Sequence, residues 1–155
     1  MATAKHRDGS PDFSLEGFLP YRLSIVTNRI SQAFARRYSD AFGLAIPEWR
    51  VMAVLGSFAP LSASQVCERT AMDKVKVSRA IARLVSAGHV RKAANPADRR
   101  STLLRLSPKG RRTHGKIVPL ARDLEAALTS ALDDGERDAL IAALAKLEAR
   151  VATLD

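Results

Sequence analysis

Apolar side chains recur at steps of three and four residues along most of the chain, which is the period of an amphipathic helix. Over residues 18–42 this pattern predicts a first helix, which Gly43 would end. A second helix is predicted over residues 47–58, because proline suits the first turn of a helix. The polar residues 1–12 that precede them are expected to form a disordered tail.

The next segment predicts two short helices with a tight connection between them. Residues 62–65 have the form of a capping box, which opens a third helix that should run to about Thr70. Asp73 is placed to cap a fourth helix, which stops at Gly88. Two helices joined by so short a connection form a helix-turn-helix unit.

After Gly88 the apolar period changes to alternation, which is typical of β-strands. Short strands are predicted over residues 89–94 and 101–107, and the polar residues 95–100 between them predict a hairpin with a basic tip. Ser107 should then cap a long helix in which Pro119 predicts a kink. Asp133 should cap a last helix whose apolar residues repeat at coiled-coil spacing.

The predicted fold is mainly α with a small β-hairpin wing, a winged helix-turn-helix with N- and C-terminal dimerisation helices. The apolar stripes of the long terminal helices are wider than a small central unit can cover. They pair either within one chain, as a helical bundle, or between two chains, as a homodimer, and we favour the homodimer. The predicted divisions are a tail over 1–12, an N-terminal dimerisation helix over 13–46, a winged helix-turn-helix DNA-binding domain over 47–107 and C-terminal dimerisation helices over 108–155.

Positive charge is concentrated in the middle of the chain. The 155 residues carry a formal net charge of +9. Residues 62–112 contain 13 Lys and Arg against 3 Asp and Glu, whereas the rest of the chain contains 12 basic and 13 acidic residues. Such a segment favours a polyanionic partner, because basic side chains displace counterions from phosphates. Double-stranded DNA is therefore the expected partner.

Other classes of protein are disfavoured by what the sequence lacks. One cysteine excludes an internal disulfide framework, and no apolar run approaches the ~18 residues of a membrane span. Residues 1–12 lack the apolar core of a secretory signal, so we expect a cytoplasmic protein with no membrane partner. Without a Gly-rich phosphate loop, a nucleophile elbow or histidines at ligand spacing, no enzyme activity, cofactor or metal is expected.

The fourth helix is predicted to divide into an apolar and a cationic face. The apolar stripe, which includes Val77 and Ile81, should pack on the preceding helix. The cationic stripe, which contains Arg79 and the small residue Ala80, should face the major groove. Arg79 could bond there to either guanine or phosphate. The candidate DNA contacts on this helix, its neighbour and the hairpin tip are Ser62, Lys74, Lys76, Val77, Ser78, Arg79, Arg83, Arg99 and Arg100.

At the hairpin tip, an extended arginine would gain from the electronegative minor groove, most of all over A·T-rich steps. Arg99 and Arg100 are the candidates. Asp98 between the turn and these arginines should either orient one of them by an ion pair or cap the turn.

The hairpin and the residues on either side of it carry a set of short motifs. They are Asn95-Pro96-Ala97-Asp98-Arg99-Arg100-Ser101 and the following Leu106-Ser107-Pro108-Lys109-Gly110, with Val77-Ser78-Arg79, Leu84 and Gly88 before them. These segments resemble the wing signature of the multiple-antibiotic-resistance-regulator (MarR) family. The openings at residues 18–24 and 46–50 are also similar, so the resemblance extends over residues 18–153. It implies a dimeric winged-helix transcriptional regulator, usually a repressor, which a small and often phenolic ligand releases from a palindromic operator. It also implies that Arg100 enters the minor groove.

Two residues depart from the family pattern. Lys76 stands where many members have threonine, which indicates a different base preference, and His89 replaces a commoner leucine at the start of the wing. The family's effector pocket lies between the dimerisation helices and the DNA-binding lobe. The residues that would line it here are Arg22, Trp49, Arg50 and Met52, unless the tryptophan and methionine are core residues and the arginines are surface pairs. The expected effector is a small aromatic or phenolic acid or a related thioester.

Two alternative functions stay open at this point. One is a non-specific architectural DNA-binding protein without an effector, and the other is a thiol redox sensor that uses Cys67. Cys67 follows Val66 on the short third helix, where a buried and inert cysteine is the simpler interpretation. Peroxide that abolished operator binding, with protection by Cys67→Ser, would establish the sensor.

Overall fold

Six α-helices and one antiparallel hairpin follow one another in this computed structural model, which describes residues 13–154. The predicted tail over residues 1–12 lies outside the described residues. After a short 3-10 turn at Leu15–Gly17, the elements are α1 Leu19–Phe42, α2 Ile46–Phe58, α3 Ala63–Thr70, α4 Lys74–Ser86, β1 Val90–Ala94, β2 Thr102–Leu106, α5 Pro108–Thr129 and α6 Asp134–Val151. This order confirms the mainly helical winged helix-turn-helix fold.

The predicted helix starts are confirmed by their capping hydrogen bonds. Ser62 Oγ accepts from the Gln65 N–H at 3.3 Å, and the Ser62 N–H donates to Gln65 Oε1 at 2.9 Å. Asp73 Oδ1 accepts from a backbone N–H in the first turn of α4 at 2.8 Å. Ser107 and Asp133 cap α5 and α6 in the same manner. Each cap satisfies an N–H group that lacks a partner within its helix.

The hairpin is joined to the helices by a bridge that the sequence pattern did not predict. β1 and β2 pair antiparallel, with Val90 opposite Leu106. Leu61, between α2 and α3, pairs with Leu104 of β2: the Leu104 N–H donates to Leu61 O at 2.8 Å. The wing is therefore held against the helix-turn-helix by backbone hydrogen bonds.

The core is formed by side chains from α1 to α5 and from the hairpin. Val51 and Met52 of α2 and Ile117 of α5 are fully buried. Val77 packs there too and is 1% exposed, so its side chain cannot contact DNA as predicted. Ala80 is a second correction: it is buried, because α4 packs against α2 on the side where we expected the cationic face. α5 continues as one helix through Pro119, and a kink there stays a prediction.

Two histidine side chains are buried or half-buried in this fold. His89 is buried where α4 meets the hairpin, and burial lowers its pKa below 6.5, with a further lowering from the positive charge of Lys109. His114 of α5 is half-buried and stacks on Trp49, with ring centroids 5.7 Å apart. Burial lowers its pKa as well. Both side chains are therefore neutral at pH 7 in the folded chain.

The free energy of unfolding is expected to fall as the pH is lowered from 7 towards 5. Both histidines have lower pKa values in the folded than in the unfolded chain, so the unfolded state takes up more protons. Their stabilisation is complete above pH 6.5 and is lost as the pH falls, with a slope of at most about 1.4 kcal/mol per pH unit for each histidine. Denaturant titrations of His114→Phe, which keeps a ring against Trp49, should show a shallower slope. An unchanged slope would contradict the prediction.

Candidate nucleic-acid interface

The outward face of α4 is formed by Val75, Arg79 and Ala82, which are exposed opposite the buried stripe. Val75 is 58% exposed despite its apolar side chain. Lys74 and Ser78 flank this face toward α3 and the hairpin. This face therefore combines a cation, a methyl-bearing side chain and a small residue, which suits close approach to base edges.

A groove of about 400 Å³ borders the outward face of α4 between α3 and the hairpin. Lys74 and Ser78 line it from α4, and Lys92 and Thr102 line it from the two strands. Three predicted elements therefore meet along one border, and the hairpin adds a lysine that the sequence reasoning did not nominate.

The hairpin tip is held by hydrogen bonds from Asn95 and Asp98. Asn95 Oδ1 accepts from the Ala97 N–H at 3.0 Å, and Asn95 Nδ2 donates to Ser101 Oγ at 2.9 Å. Asp98 Oδ1 accepts from the Arg100 N–H at 2.9 Å. Asp98 thus caps the turn, which is one of its two predicted roles, and the backbone under Arg100 is ordered by the turn itself.

The hairpin tip faces the N-terminus of α3 across a cleft of about 620 Å³. Arg100 and Asp98 line the cleft from the tip, and Ser62 and Gln65 line it from α3. The structure therefore brings together two predicted contacts, Ser62 and Arg100, beside a helix N-terminus, where anions are favoured. Arg99 is exposed on the same tip.

Two other predicted contacts lie next to carboxylates. Arg83 Nη1 is 3.3 Å from Glu48 Oε1, and the Glu48 side chain is only 8% exposed. Lys76 Nζ is 3.7 Å from Asp73 Oδ2 at the surface. Exposed ion pairs are weak, so DNA can compete for Lys76. Arg83 instead neutralises a buried carboxylate, which gives its guanidinium a structural partner.

Residues 42–101, from the end of α1 to the hairpin, match a model of the MarR family. The helix-turn-helix transcriptional regulator TtmR of Methylorubrum extorquens is 30% identical over 132 residues, which make up 83% of this chain and 67% of that protein. The chain belongs to the MarR family.

Solved MarR-family structures share the fold. A MarR-family transcriptional regulator from Silicibacter pomeroyi is 28% identical, with a TM-score of 0.77 over 89% of this chain and 92% of that one. BpsR of Bordetella bronchiseptica, whose structure concerns regulation of its DNA binding by 6-hydroxynicotinic acid, is 25% identical, with a TM-score of 0.78 over 89% of this chain and 98% of that one. These similarities confirm the predicted family and fold and make this protein a MarR-family transcriptional regulator.

Of the four residues predicted to hold an effector in this MarR-family chain, Trp49, Arg50 and Met52 lie on α2 and Arg22 lies on α1. Met52 is fully buried, and Trp49 packs against Phe34 with ring centroids 5.7 Å apart. Arg50 Nη2 donates to a serine hydroxyl of α1 at 3.0 Å. Arg22 lies about 18 Å along α1 from Phe34, at 1.5 Å per residue. This geometry supports the alternative interpretation, in which Trp49 and Met52 serve the core.

Sequence reasoning missed Val75 because it is apolar and was not considered as a DNA contact. A wheel drawn at 100° per residue places Val75 about 200° from Val77, opposite the buried stripe, so the signal was present. Lys92 could not be predicted as a DNA contact from the sequence, because the side of the hairpin on which a strand residue lies depends on the strand register. That register is defined by the pairing of β1 with β2 and by the Leu61–Leu104 bridge.

Cys67 is half-buried rather than buried, and it lines the groove between α3, α4 and the hairpin. Among residues 13–154, no set of three or more His, Cys, Asp or Glu side chains is arranged to hold a metal ion. The helices of the same part of the chain include none with the length and apolar character needed to cross a membrane.

Proposed function

We propose that this protein is a homodimeric, sequence-specific binder of double-stranded DNA. In this proposal it is a repressor, which a small aromatic or phenolic acid or a related thioester releases from a palindromic operator. The observation that carries the proposal is the continuity of the groove and the cleft, which share Ala63, Ser64 and Thr102. One surface thus runs from the outward face of α4 to Arg100.

Each part of this surface suits a different part of a duplex. An α-helix fits the major groove, where Arg79 can bond to guanine or phosphate and the methyl groups of Val75 can contact thymine. Ser62 at the start of α3 suits a phosphate oxygen. The tip with Arg100 suits the adjacent minor groove. Because every one of these segments is capped or hydrogen-bonded, the surface is organised before DNA arrives.

Dimerisation is supported by apolar side chains that the described part of the chain leaves exposed at its two ends. Leu23 of α1 and Leu144 of α6 line an apolar depression of about 630 Å³, together with Ile141, Leu147 and Val151. A second copy related by a two-fold axis would cover this surface. The two α4 helices would then enter successive major grooves, about 34–36 Å apart.

Effector control is supported by BpsR, whose DNA binding is regulated by 6-hydroxynicotinic acid. An effector can release DNA only if it binds one conformation of the protein more tightly than another. The conformation that it favours must be the one that does not bind DNA. A coupling free energy of about 1–3 kcal/mol would lower operator affinity roughly 5–150-fold.

The test is a selection of genomic fragments bound by the full-length chain, followed by competition. A specific regulator should prefer its selected site over random duplex by about 1000-fold or more at physiological salt. Equal affinity for selected and random duplexes would instead establish the architectural alternative. The genes next to selected fragments would indicate which aromatic acids to add to the same assay.

Arg100→Ala is expected to weaken binding most at operators with A·T-rich flanks, by about 1–3 kcal/mol. The narrow minor groove of such flanks has the strongest negative potential, so the lost guanidinium matters most there. Fluorescence anisotropy with two duplexes that differ only in their flanks measures the effect. Arg36→Ala, which removes the same charge from an exposed position on α1, is the matched control. Equal losses on both flanks would contradict minor-groove insertion.

A further inference from the structure

A separate polar cavity of about 420 Å³ lies where the α1–α2 connection meets the end of α4 and the start of α5. Four polar or charged side chains line it: Glu48, Arg83, His89 and Lys109. Phe42, Leu44 and Leu84 supply apolar wall. The volume lies within the range of small-molecule sites. Of the residues that line this cavity, only Arg83 is among the predicted DNA contacts, and none is among the predicted effector residues.

His89 is the least expected side chain in this cavity. It is 5% exposed, and its Nδ1 has no hydrogen-bond partner within residues 13–154. The backbone around it is fixed, because the His89 N–H donates to Leu84 O at 2.8 Å and His89 O accepts from the Ser107 N–H at 2.9 Å. These two bonds hold the main chain of His89 at the junction between α4 and α5. Buried polar atoms are normally paired, so this nitrogen is unusual. Because Nδ1 itself has almost no accessible surface, the ring lines the cavity through its other atoms.

Hydrogen-bond donors exceed acceptors around the cavity. Glu48 uses both oxygens, since Oε1 pairs with Arg83 and Oε2 accepts from the Ala45 N–H at 2.8 Å. Lys109 Nζ donates to Ala87 O at 2.7 Å, which leaves two of its three N–H groups. Arg83 retains further N–H groups beyond the one that reaches Glu48. The unused donors and the net positive charge favour an anion.

We propose that this cavity binds a small organic carboxylate, held by Lys109 and Arg83, with its body against Phe42 and the His89 ring. Phe42 and the His89 ring offer carbon surface to an organic acid, which an inorganic anion does not use. Because Arg83 belongs to α4, the occupant would touch the helix that carries the proposed DNA-reading face. The binding itself does not depend on the proposed function.

The experiment uses the full-length protein without DNA at low salt and pH 7.5, with benzoate as the probe. Saturable binding by calorimetry and a shift of the His89 ring signals in NMR spectra are expected, with benzyl alcohol producing neither. Lys109→Met should weaken benzoate binding by about tenfold, the loss of one charge-assisted contact. The matched control, Lys116→Met, removes a lysine from an exposed position on the same helix and should change the affinity less than twofold.

Three outcomes would overturn the proposal. In the first, benzoate leaves the His89 signals of the wild-type protein unmoved. In the second, Lys109→Met binds benzoate with the same affinity as the wild type. In the third, inorganic phosphate binds as tightly as benzoate or more tightly. The NMR titration of the wild-type chain keeps the test valid if Lys109→Met fails to fold. Because DNA is absent throughout, failure here leaves the operator-binding proposal untouched, and failure of operator selection leaves this site untouched.

Discussion

Leu144→Glu is expected to convert the protein to a monomer and to weaken operator binding by roughly 100-fold or more. Leu144 is 42% exposed on α6, in the apolar depression that also contains Leu23 of α1. In the proposed dimer this surface is covered by the partner copy. A glutamate there must either be buried without a partner, at a cost of about 3 kcal/mol or more, or keep the surfaces apart.

Ala142→Glu is the matched control, because it adds the same side chain to the opposite face of α6. Its dimer and its operator affinity should resemble those of the wild type. Sedimentation at several concentrations reports the oligomeric state, and anisotropy with the selected operator reports affinity. A dimeric Leu144→Glu variant would place the interface elsewhere, and a monomer with undiminished operator affinity would refute the need for two copies.

The helical framework was predictable from the sequence because its determinants are local. Gly43 ends α1 in the left-handed conformation, with φ 65°, as its place after the apolar stripe indicates. Ser62, Asp73 and Ser107 open their helices through hydrogen bonds to residues three positions on. Such contacts depend only on neighbours in the chain, so a single sequence reveals them.

The errors arose where contacts join distant segments. Ala80 was placed among exposed cations, because a helical wheel does not show that α2 covers that side of α4. Arg83 pairs with Glu48, which lies 35 positions away, and this pairing depends on how α2 and α4 pack. The bridge between Leu61 and Leu104 has the same origin. The sequence shows where basic side chains are concentrated, but which of them pairs with a carboxylate depends on tertiary packing.

Gly110→Ala is expected to lower the free energy of unfolding by about 3 kcal/mol. Gly110 is buried in the first turn of α5, where its N–H donates to Ser107 Oγ at 2.9 Å. A Cβ atom at this position would overlap the carbonyl oxygen of His89 and lie 3.0 Å from its carbonyl carbon. That carbonyl is itself held by the Ser107 N–H at 2.9 Å, so backbone, not a flexible side chain, would have to move.

Gly115→Ala provides the opposite expectation on the same helix. A Cβ atom at Gly115 meets no atom of the described residues within 4 Å. Alanine also lowers the backbone entropy of the unfolded chain, so the folded state becomes more stable relative to it. Its free energy of unfolding should rise by about 0.5–1 kcal/mol. Thermal unfolding at one fixed protein concentration should move the midpoint down by about 6–12 °C for Gly110→Ala and up by about 1–4 °C for Gly115→Ala. If Gly110→Ala were as stable as the wild type, the close packing of α5 on the wing junction, which also fixes His89, would be wrong.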